Sequence, residues 1–574
     1  MLLAKLCEYS HRLEELAPVG YNQTPIRWLI NLDGDGNFLG FITTSSGKKN
    51  DRGKVFIAPA VMKSVNVKAS LLVGNGEYVL GIPRDPAKKK RVANCHKAFV
   101  EQVRDCAESL KSLPLQTIRR FLESLDLKAL PLPEDFDPAM NLTFQVEGLL
   151  PFDLTEVRGY WAKSQVKDQS TEVSSGLSQC LVCAKSCIPT ERFPIKFKVI
   201  AGGQSSGMTI VSANANAFES YGLKASRIAP VCRDCAERSA KAYNALLEKE
   251  DSLLNIGSLV YLFWTRQETS FNIASLFSQP QPEEVKALIA SARTGRSPAA
   301  LDTDAFYATA LSASGARVVV RDWLETTVGQ VKEHLARWFA LQALVDPYGG
   351  EGRPLGLRPL AGSLVRDLAK DLPPNVPRIL LKAALAGSPI PSWIMFQAIR
   401  RNRAEQQLTR PRAAIIKMVL LSQLKNLPED TMVQLDEGNQ HPSYQCGRLL
   451  AVLERVQMLA VSPKATLIDR FYGTASTAPA SVFSRLLKGA QAHLGKLRKE
   501  KFGAYSALQS RLEEIMGSLS GFPRVLTLEE QGWFNLGYYH QRAWDRAQAR
   551  ARKEEQVAGE EGLIETTTTD ENEE

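Results

Sequence analysis

The apolar positions of this chain change period several times. From Met1 to Leu16 they fall at helical spacing among Lys5, Glu8, Arg12, Glu14 and Glu15, which predicts an amphipathic helix rather than a signal peptide. The stretch IRWLINLDGDGNFLGFITTS (26–45) sets two apolar runs around a Gly-rich turn and predicts a hairpin. EYVLGIP (77–83) reads as a further strand. A helical period then runs from Ala93 to about Leu125, and LPLPEDFDPAMNLTFQV (130–146) reads as loop entering a strand. Short strands are predicted at IKFKVI (195–200), MTIVSA (208–213) and LVYLFW (259–264). From about Pro282 the pattern turns helical; 317–344 reads as a strand passing into a long helix with Trp323 and Trp338 on it. Beyond Pro347 almost everything is helical, broken by Pro and Gly near 349–359, 373–377 and 387–391.

Composition narrows the class. With 44% hydrophobic and 23% charged residues over 574 positions, the chain can build cores and is neither a fibre nor mainly disordered. No apolar run reaches the roughly 18 residues of a membrane-spanning helix. The net charge of +9 hides an asymmetry. The segment 554–574 holds nine acids and no Lys or Arg, which leaves +18 on residues 1–553. Two windows hold most of it: 37–100, with twelve Lys/Arg against three acids, and 376–425, with nine against one. Solvated faces would account for either window alone; two in one chain point to a polyanion partner.

The candidate chemistry is sparse. Cys180-Leu-Val-Cys183 and Cys232-Arg-Asp-Cys235 are two C-x-x-C pairs, each able to set two thiolates on one side of a turn. Together they offer the four-sulfur set that a structural zinc prefers, although 48 residues separate them where short ribbons use about 15–20. Cys187 is a substitute ligand, and buried free thiols are the alternative. Nine cysteines, five of them in 180–235, fit a reduced compartment better than a disulfide scaffold. Gly203-Gln204-Ser205-Ser206-Gly207 matches the nucleophile-elbow pattern, but a strand-like segment follows it where an elbow needs a helix. It reads better as a Gly/Ser loop able to approach a phosphate or a groove edge. Asp33-Gly-Asp-Gly-Asn37 imitates a calcium loop, yet Phe38 and Thr44 stand where that loop needs Gly and Glu, so a tight turn explains it. Lys88 to Arg91 opens a helix. Arg400, Arg401, Arg403, Arg410 and Arg412 surround a helix end. Arg485, Lys488, Lys496 and Lys499 fall within about 80° of one another on a helix. There is no Walker A sequence, no H-E-x-x-H and no dinucleotide fingerprint, and the six histidines are scattered. No catalytic centre emerges.

Seven segments together resemble the type I-C CRISPR-associated Cascade large subunit. They are GGQSSGMTIVSANANAFESYG (202–222), APVCRDCAERSAKAYNALL (229–247), ARVVVRDWLE (316–325), IRRNRAEQQLTRPRAAIIKMVL (399–420), GRLLAVLERVQ (447–457), LIDRFYGTASTAPASVFSRLLKGAQAHLGKL (467–497) and LEEQGWFNLGYYHQR (528–542). The N-terminal helix and EYVLGI extend the likeness to most of the chain. The two cysteine knuckles are not uniform in that family, so zinc rests on this sequence's own spacing.

The resemblance implies a non-catalytic, cytoplasmic, prokaryotic subunit of RNA-guided antiviral defence. Its implied partners are double-stranded target DNA and the displaced strand, a CRISPR guide RNA, the backbone-repeat and 5′-handle subunits, and a helicase-nuclease, with no membrane. It implies recognition of a protospacer-adjacent motif (PAM), duplex opening and R-loop stabilisation, since pairing reads sequence while protein reads a short motif and the backbone. The expected fold class is an α+β N-terminal domain with an embedded zinc knuckle, followed by a mostly helical C-terminal region. The expected domains are 1–345, α+β, for duplex motif recognition and docking at the guide-handle end; 346–430, a helical connector with the Arg cluster; 431–552, a bundle resembling the Cascade small subunit; and 553–574, a disordered acidic tail. Met418 and Met432 precede that bundle and would allow its separate translation.

The expected DNA contacts are Lys48, Lys49, Arg52, Lys54, Asn75, Gly203, Gln204, Ser205, Ser206, Arg400, Arg401, Arg403, Arg412, Arg485, Lys488, Lys496 and Lys499. Asn75 and Gln204 are the expected readers of base edges. The expected metal ligands are Cys180, Cys183, Cys232 and Cys235. Two other classes stay open: a zinc-containing nucleic-acid protein outside CRISPR, and a zinc-dependent or serine hydrolase, the latter on the Gly203–Gly207 pattern.

Overall fold

The structure is a computed structural model. It describes the chain except residues 14–17, 19, 48–50, 62–66, 171–175, 206, 270, 295–302, 424–427, 429–430 and 570–574, and except the side chains of 166–170, 293–294, 553 and 555–569. The chain is mixed α and β, with several small sheets and a helical C-terminal region. It divides into two compact units, one made of residues 1–199, 203–245 and 314–318, the other of 200–202, 246–313 and 319–574.

In the first unit, β1 (Tyr21–Ile26) pairs antiparallel with β4 (Lys54–Pro59). A four-stranded sheet runs in the order β3-β2-β6-β5, from β2 (Trp28–Leu32), β3 (Phe38–Thr43), β5 (Gly74–Asn75) and β6 (Asn141–Val146). The predicted hairpin is β2–β3, and its tip is the Asp33 turn, where one carboxylate oxygen accepts the N–H groups of Asp35, Gly36 and Asn37. β2 lies parallel to β6, so a long crossover must join them. That crossover includes the helices Lys89–Leu110 and Leu113–Glu123, whose Phe99 and Phe121 pack against Phe144 of β6. The single predicted helix breaks here because Lys111 takes a left-handed conformation (φ 53°) and Pro114 opens the next helix. The predicted strand at 77–83 is instead a short helix, Gly76–Val79, because Asn75 Oδ1 accepts the Tyr78 N–H and caps it. Near 195–213 the structure holds single bridges, among them Phe197 to Met208, rather than continuous strands. β7 (Ser178–Gln179) and β8 (Ser186–Cys187) form a small ribbon.

The second unit opens with β9 (Leu253–Ile256) and β10 (Leu259–Thr265), then β11 (Ala305–Ser314) and β12 (Arg317–Thr327), in sheet order β12-β11-β10-β9. Every residue of β10 is buried, as its unbroken apolar run requires. This sheet shares one core with the helices Val328–Gln342, Asn375–Ala386 and Arg410–Gln423. Strand pattern alone attaches 253–327 to the N-terminal half; apolar packing joins most of it to the helices that follow. Trp323 lies on β12 and only Trp338 on the helix. A second core lies among the helices Pro442–Val461, Leu467–Ala475, Phe483–Glu500, Phe502–Gly517 and Leu528–Thr569. The last helix continues past Lys553 into the acidic segment for which composition predicts disorder.

Two glycines set the crossing of Pro442–Val461 with Leu528–Thr569. A Cβ on Gly447 would overlap the Phe534 carbonyl oxygen, and one on Gly537 would overlap the Tyr444 carbonyl oxygen. The close approach buries Arg448, whose guanidinium donates to Gln541 (3.1 Å), Gln445 (3.1 Å) and Glu514 (2.8 Å). Gly537→Ala should therefore destabilise the chain by about 1–3 kcal/mol or more, because backbone rather than a flexible side chain must move. A fall in the urea midpoint measures this, and a midpoint equal to wild type refutes it.

Candidate metal centre and basic surfaces

The two C-x-x-C pairs converge although 48 residues separate them. The first is a knuckle between β7 and β8: Ala184 turns left-handed (φ 59°) and returns its N–H to the Cys180 carbonyl at 2.9 Å. The second leads into the helix Arg233–Leu246, where the Ala236 N–H reaches the Cys232 carbonyl. Backbone bonds from Leu181 to Pro230 and from Thr190 to Val231, each 2.9 Å, hold the two segments together. The ligand atoms of Cys180, Cys183, Cys232 and Cys235 all lie within 4.8 Å of one another, and Cys183 Sγ is 3.9 Å from Cys232 Sγ. A tetrahedral zinc with bonds of about 2.3 Å needs sulfurs about 3.8 Å apart, so the donor set fits.

The surroundings suit thiolates unequally. Burial raises the Cys180 thiol, but N–H groups of Cys183, Cys232 and Val182 outweigh it and bring the group down to about 7. Burial, with Cys180 nearby, pushes Cys232 up to about 11, and burial, with Cys232 beside it, raises Cys235 further. Four thiols this close cannot all ionise unless a cation neutralises them. Cys187 is raised by burial and then by Cys180 and Cys183. Sequence reading did not place Cys7 here, yet its thiol donates to the Cys235 carbonyl at 3.2 Å, so the Leu2–Ser10 helix packs beneath the knuckle. The helix after the second knuckle is tied in by buried Glu237, which accepts the Gly20 N–H (2.9 Å) and Arg233 Nε (2.9 Å). Lys241 lies 3.6 Å from the same carboxylate. Only a contact map could reveal Cys7 or Gly20, since no spacing signal links residues more than 200 positions apart.

The Gly203–Gly207 loop is a tight turn. The Gly207 N–H donates to the Gln204 carbonyl (3.1 Å) and the Gln204 N–H to the Gly315 carbonyl (3.2 Å). Gln204 and Ser205 are exposed, Gly203 is partly buried, and Ser206 lies outside the described residues. Gly207 has φ 93°, and a side chain there would meet Lys196. Among the described residues, five histidines hydrogen-bond to groups other than Ser205: His11 to Arg238, His96 to Tyr78, His334 to Leu385, His441 to Ser443, and His540 to Tyr444. Burial first, and then Lys417, push His540 down to about 3, which keeps it neutral.

The expected cations separate into two groups. Arg485, Lys488, Lys496 and Lys499 all stand exposed on the Phe483–Glu500 helix, away from its buried Leu486, Leu494 and Leu497. Arg400 is exposed on the Ser392–Glu405 helix, and Arg52 and Lys54 are exposed at the start of β4. Lys48 and Lys49 lie outside the described residues. Asp51 organises the neighbouring turn by accepting from Ser45, Ser46 and Gly53, bonds that hold its carboxyl well below the usual range. Asn75 spends its side-chain oxygen on the helix cap. The other arginines serve the fold. Arg412 is buried, donates to the Ser363 carbonyl (2.7 Å) and the Gln407 carbonyl (3.2 Å), and pairs with Glu405. Arg401 also pairs with Glu405, and Arg403 donates to Gln531. Burial lowers all three guanidinium groups.

The chain matches the family described as CRISPR-associated protein (Cas_Csd1) over residues 6–545. It belongs to this CRISPR-associated family. No curated protein matches the chain. The match takes in both cysteine knuckles, the Gly203–Gly207 loop and the exposed helix 483–500 of this Cas_Csd1 member. No helix among its described residues is long and apolar enough to cross a membrane.

Purified Cas_Csd1 chain should carry about one zinc per polypeptide, the capacity of one four-sulfur site. Cys180→Ser combined with Cys232→Ser should remove it. Because thiols must lose protons to bind, metal should be retained at pH 8 and released as pH falls. Elemental analysis at each pH reads both effects; metal content unchanged in the double variant would place the ion elsewhere.

Proposed function

We propose that this chain is the non-catalytic large subunit of a type I-C CRISPR interference complex. It meets double-stranded DNA beside the target, reads a short adjacent motif, helps open the duplex and holds strands while guide RNA pairs. The observation that carries the reading is membership of the CRISPR-associated family over nearly the whole chain. The exposed ridge Arg485, Lys488, Lys496 and Lys499 supports it, because unpaired strands are held chiefly through phosphate charge. The first-unit surface would include Arg52, Lys54 and the Gly203–Ser205 turn, with Gln204 reaching a base edge. Lys48 and Lys49 are expected to add phosphate contacts. Arg412 is excluded from this surface by its burial, and Arg401 and Arg403 are engaged within the protein. A zinc at the knuckle would be structural, since four protein sulfurs leave no open position for substrate.

The complex with guide RNA and sister subunits is the form to test. Replacing all four ridge cations with Ala should weaken every DNA about equally and flatten the salt dependence by roughly one unit per lost phosphate contact. An unchanged slope removes the ridge from the interface. Gln204→Ala should leave overall affinity nearly intact but relax discrimination at one motif position; full discrimination would reject its role as a reader.

A further inference from the structure

In the first unit the chain between Ala213 and Ala225 closes on itself. Backbone bonds run both ways between those two residues, at 2.9 and 3.0 Å, and the Leu223 N–H reaches the Ser220 carbonyl at 2.9 Å. The two residues at the tip, Tyr221 (φ 52°) and Gly222 (φ 71°), both have positive φ, as the I′ turn of a two-residue hairpin requires. Asn-Gly suits that turn; a bulky aromatic residue at its first position works against its own backbone preference. The fold offers the Tyr221 side chain nothing to offset this, because the residue is 100% exposed. Strain at a residue without core contacts points to a contact outside the chain.

The ground around the tip is aromatic and basic. Phe218 is 51% exposed, and the Arg317 guanidinium lies 4.4 Å from the centre of its ring. Arg317 also donates to Asn214. Leu223 and Lys224 are exposed on the returning side. Glu219 is the acid of this loop, and Arg227 faces Glu191 at 3.7 Å. Arg317 and Lys224 therefore outweigh Glu219. Two backbone bonds, from Gln204 to Gly315 (3.2 Å) and from Thr209 to Ala316 (2.9 Å), tie the segment that carries Arg317 to the Gly203–Gly207 turn and its neighbour. The loop that presents Tyr221 and the turn that presents Gln204 are thus both anchored on residues 314–318.

We infer that Tyr221 stacks on a base of the DNA held at this surface. A phenol ring offers a flat apolar face to a base, and the two cations suit the phosphates beside it. Stacking tolerates any base, so the contact adds affinity and leaves the letters of the motif to hydrogen-bonding groups such as Gln204. The choice of a base as the occupant rests on the DNA-binding reading above and on the excess of positive charge beside the ring.

The test uses the complex with guide RNA and sister subunits, and duplexes that carry one abasic nucleotide each, walked through the motif and the adjoining pairs. Tyr221→Asn gives the tip its preferred pair with Gly222, so the urea midpoint of the purified chain should stand at or above that of wild type. DNA binding should nevertheless weaken about tenfold, and Tyr221→Trp should keep it. The salt slope should stay unchanged, since no phosphate contact is lost. At one abasic position the loss from removing the base and the loss from Tyr221→Asn should fail to add, because both delete the same contact. Full additivity at every position, or binding by Tyr221→Asn equal to wild type, overturns the inference while leaving the DNA-binding reading intact. A lower urea midpoint makes the ring part of the fold, and loss of a sister subunit from the Tyr221→Asn complex makes it a protein contact; either result also overturns it. A wild-type complex indifferent to DNA removes the proposed function itself, and this contact with it.

Discussion

Four sulfurs within 4.8 Å of one another are an electrostatic problem before they are a motif. As thiolates they repel; as thiols they are half-buried groups with weak hydrogen bonds. A divalent cation resolves both at once, and the backbone is already arranged for it, with N–H groups aimed at Cys180 and the second knuckle leading into a helix. Two contacts far apart in the chain accompany that convergence. The helix behind the second knuckle brings Glu237 to Gly20, and the carbonyl of Cys235 accepts the Cys7 thiol. The N-terminal helix is thereby fastened to a segment more than 200 residues away.

Desolvation performs a similar sorting on positive charge. An arginine count in 376–425 suggests one basic surface, yet burial divides it. Arg412 is buried and gives its donors to carbonyls and to Glu405, and Arg401 shares that one carboxylate, which offsets only part of their joint charge. Arg448 does the same between helices of the other core. What remains for a polyanion is the set whose stems lie on solvated helix faces, Arg485 to Lys499 foremost. Net charge alone overstates the surface a nucleic acid would meet, because a buried guanidinium contributes to the sum and not to the interface.

Several elements are legible in the sequence itself. The β2–β3 hairpin follows from two apolar runs around a Gly-rich turn, β10 from an unbroken apolar segment, and the C-terminal helices from a sustained helical period. Asn75 shows where local pattern misleads. Tyr78 and Val79, both with strand preference, follow Gly76 and Glu77, but a capping oxygen at the start and packing of Val79 make a helix turn the better solution. The strands expected around 195–213 shrink to bridges for lack of long paired neighbours.

By itself, the sequence determined the ligand inventory, the alternation of sheet and helix, the positions of charge and the family likeness. These are properties of residue type and short spacing, which survive without knowledge of neighbours. Only the tertiary structure decided which cations face water, that the Cys7 thiol reaches the Cys235 carbonyl, and that most of the strands at 253–327 share a core with the helices after them. Those outcomes depend on burial. Burial belongs to pairs of residues far apart in the chain, and no local period encodes it.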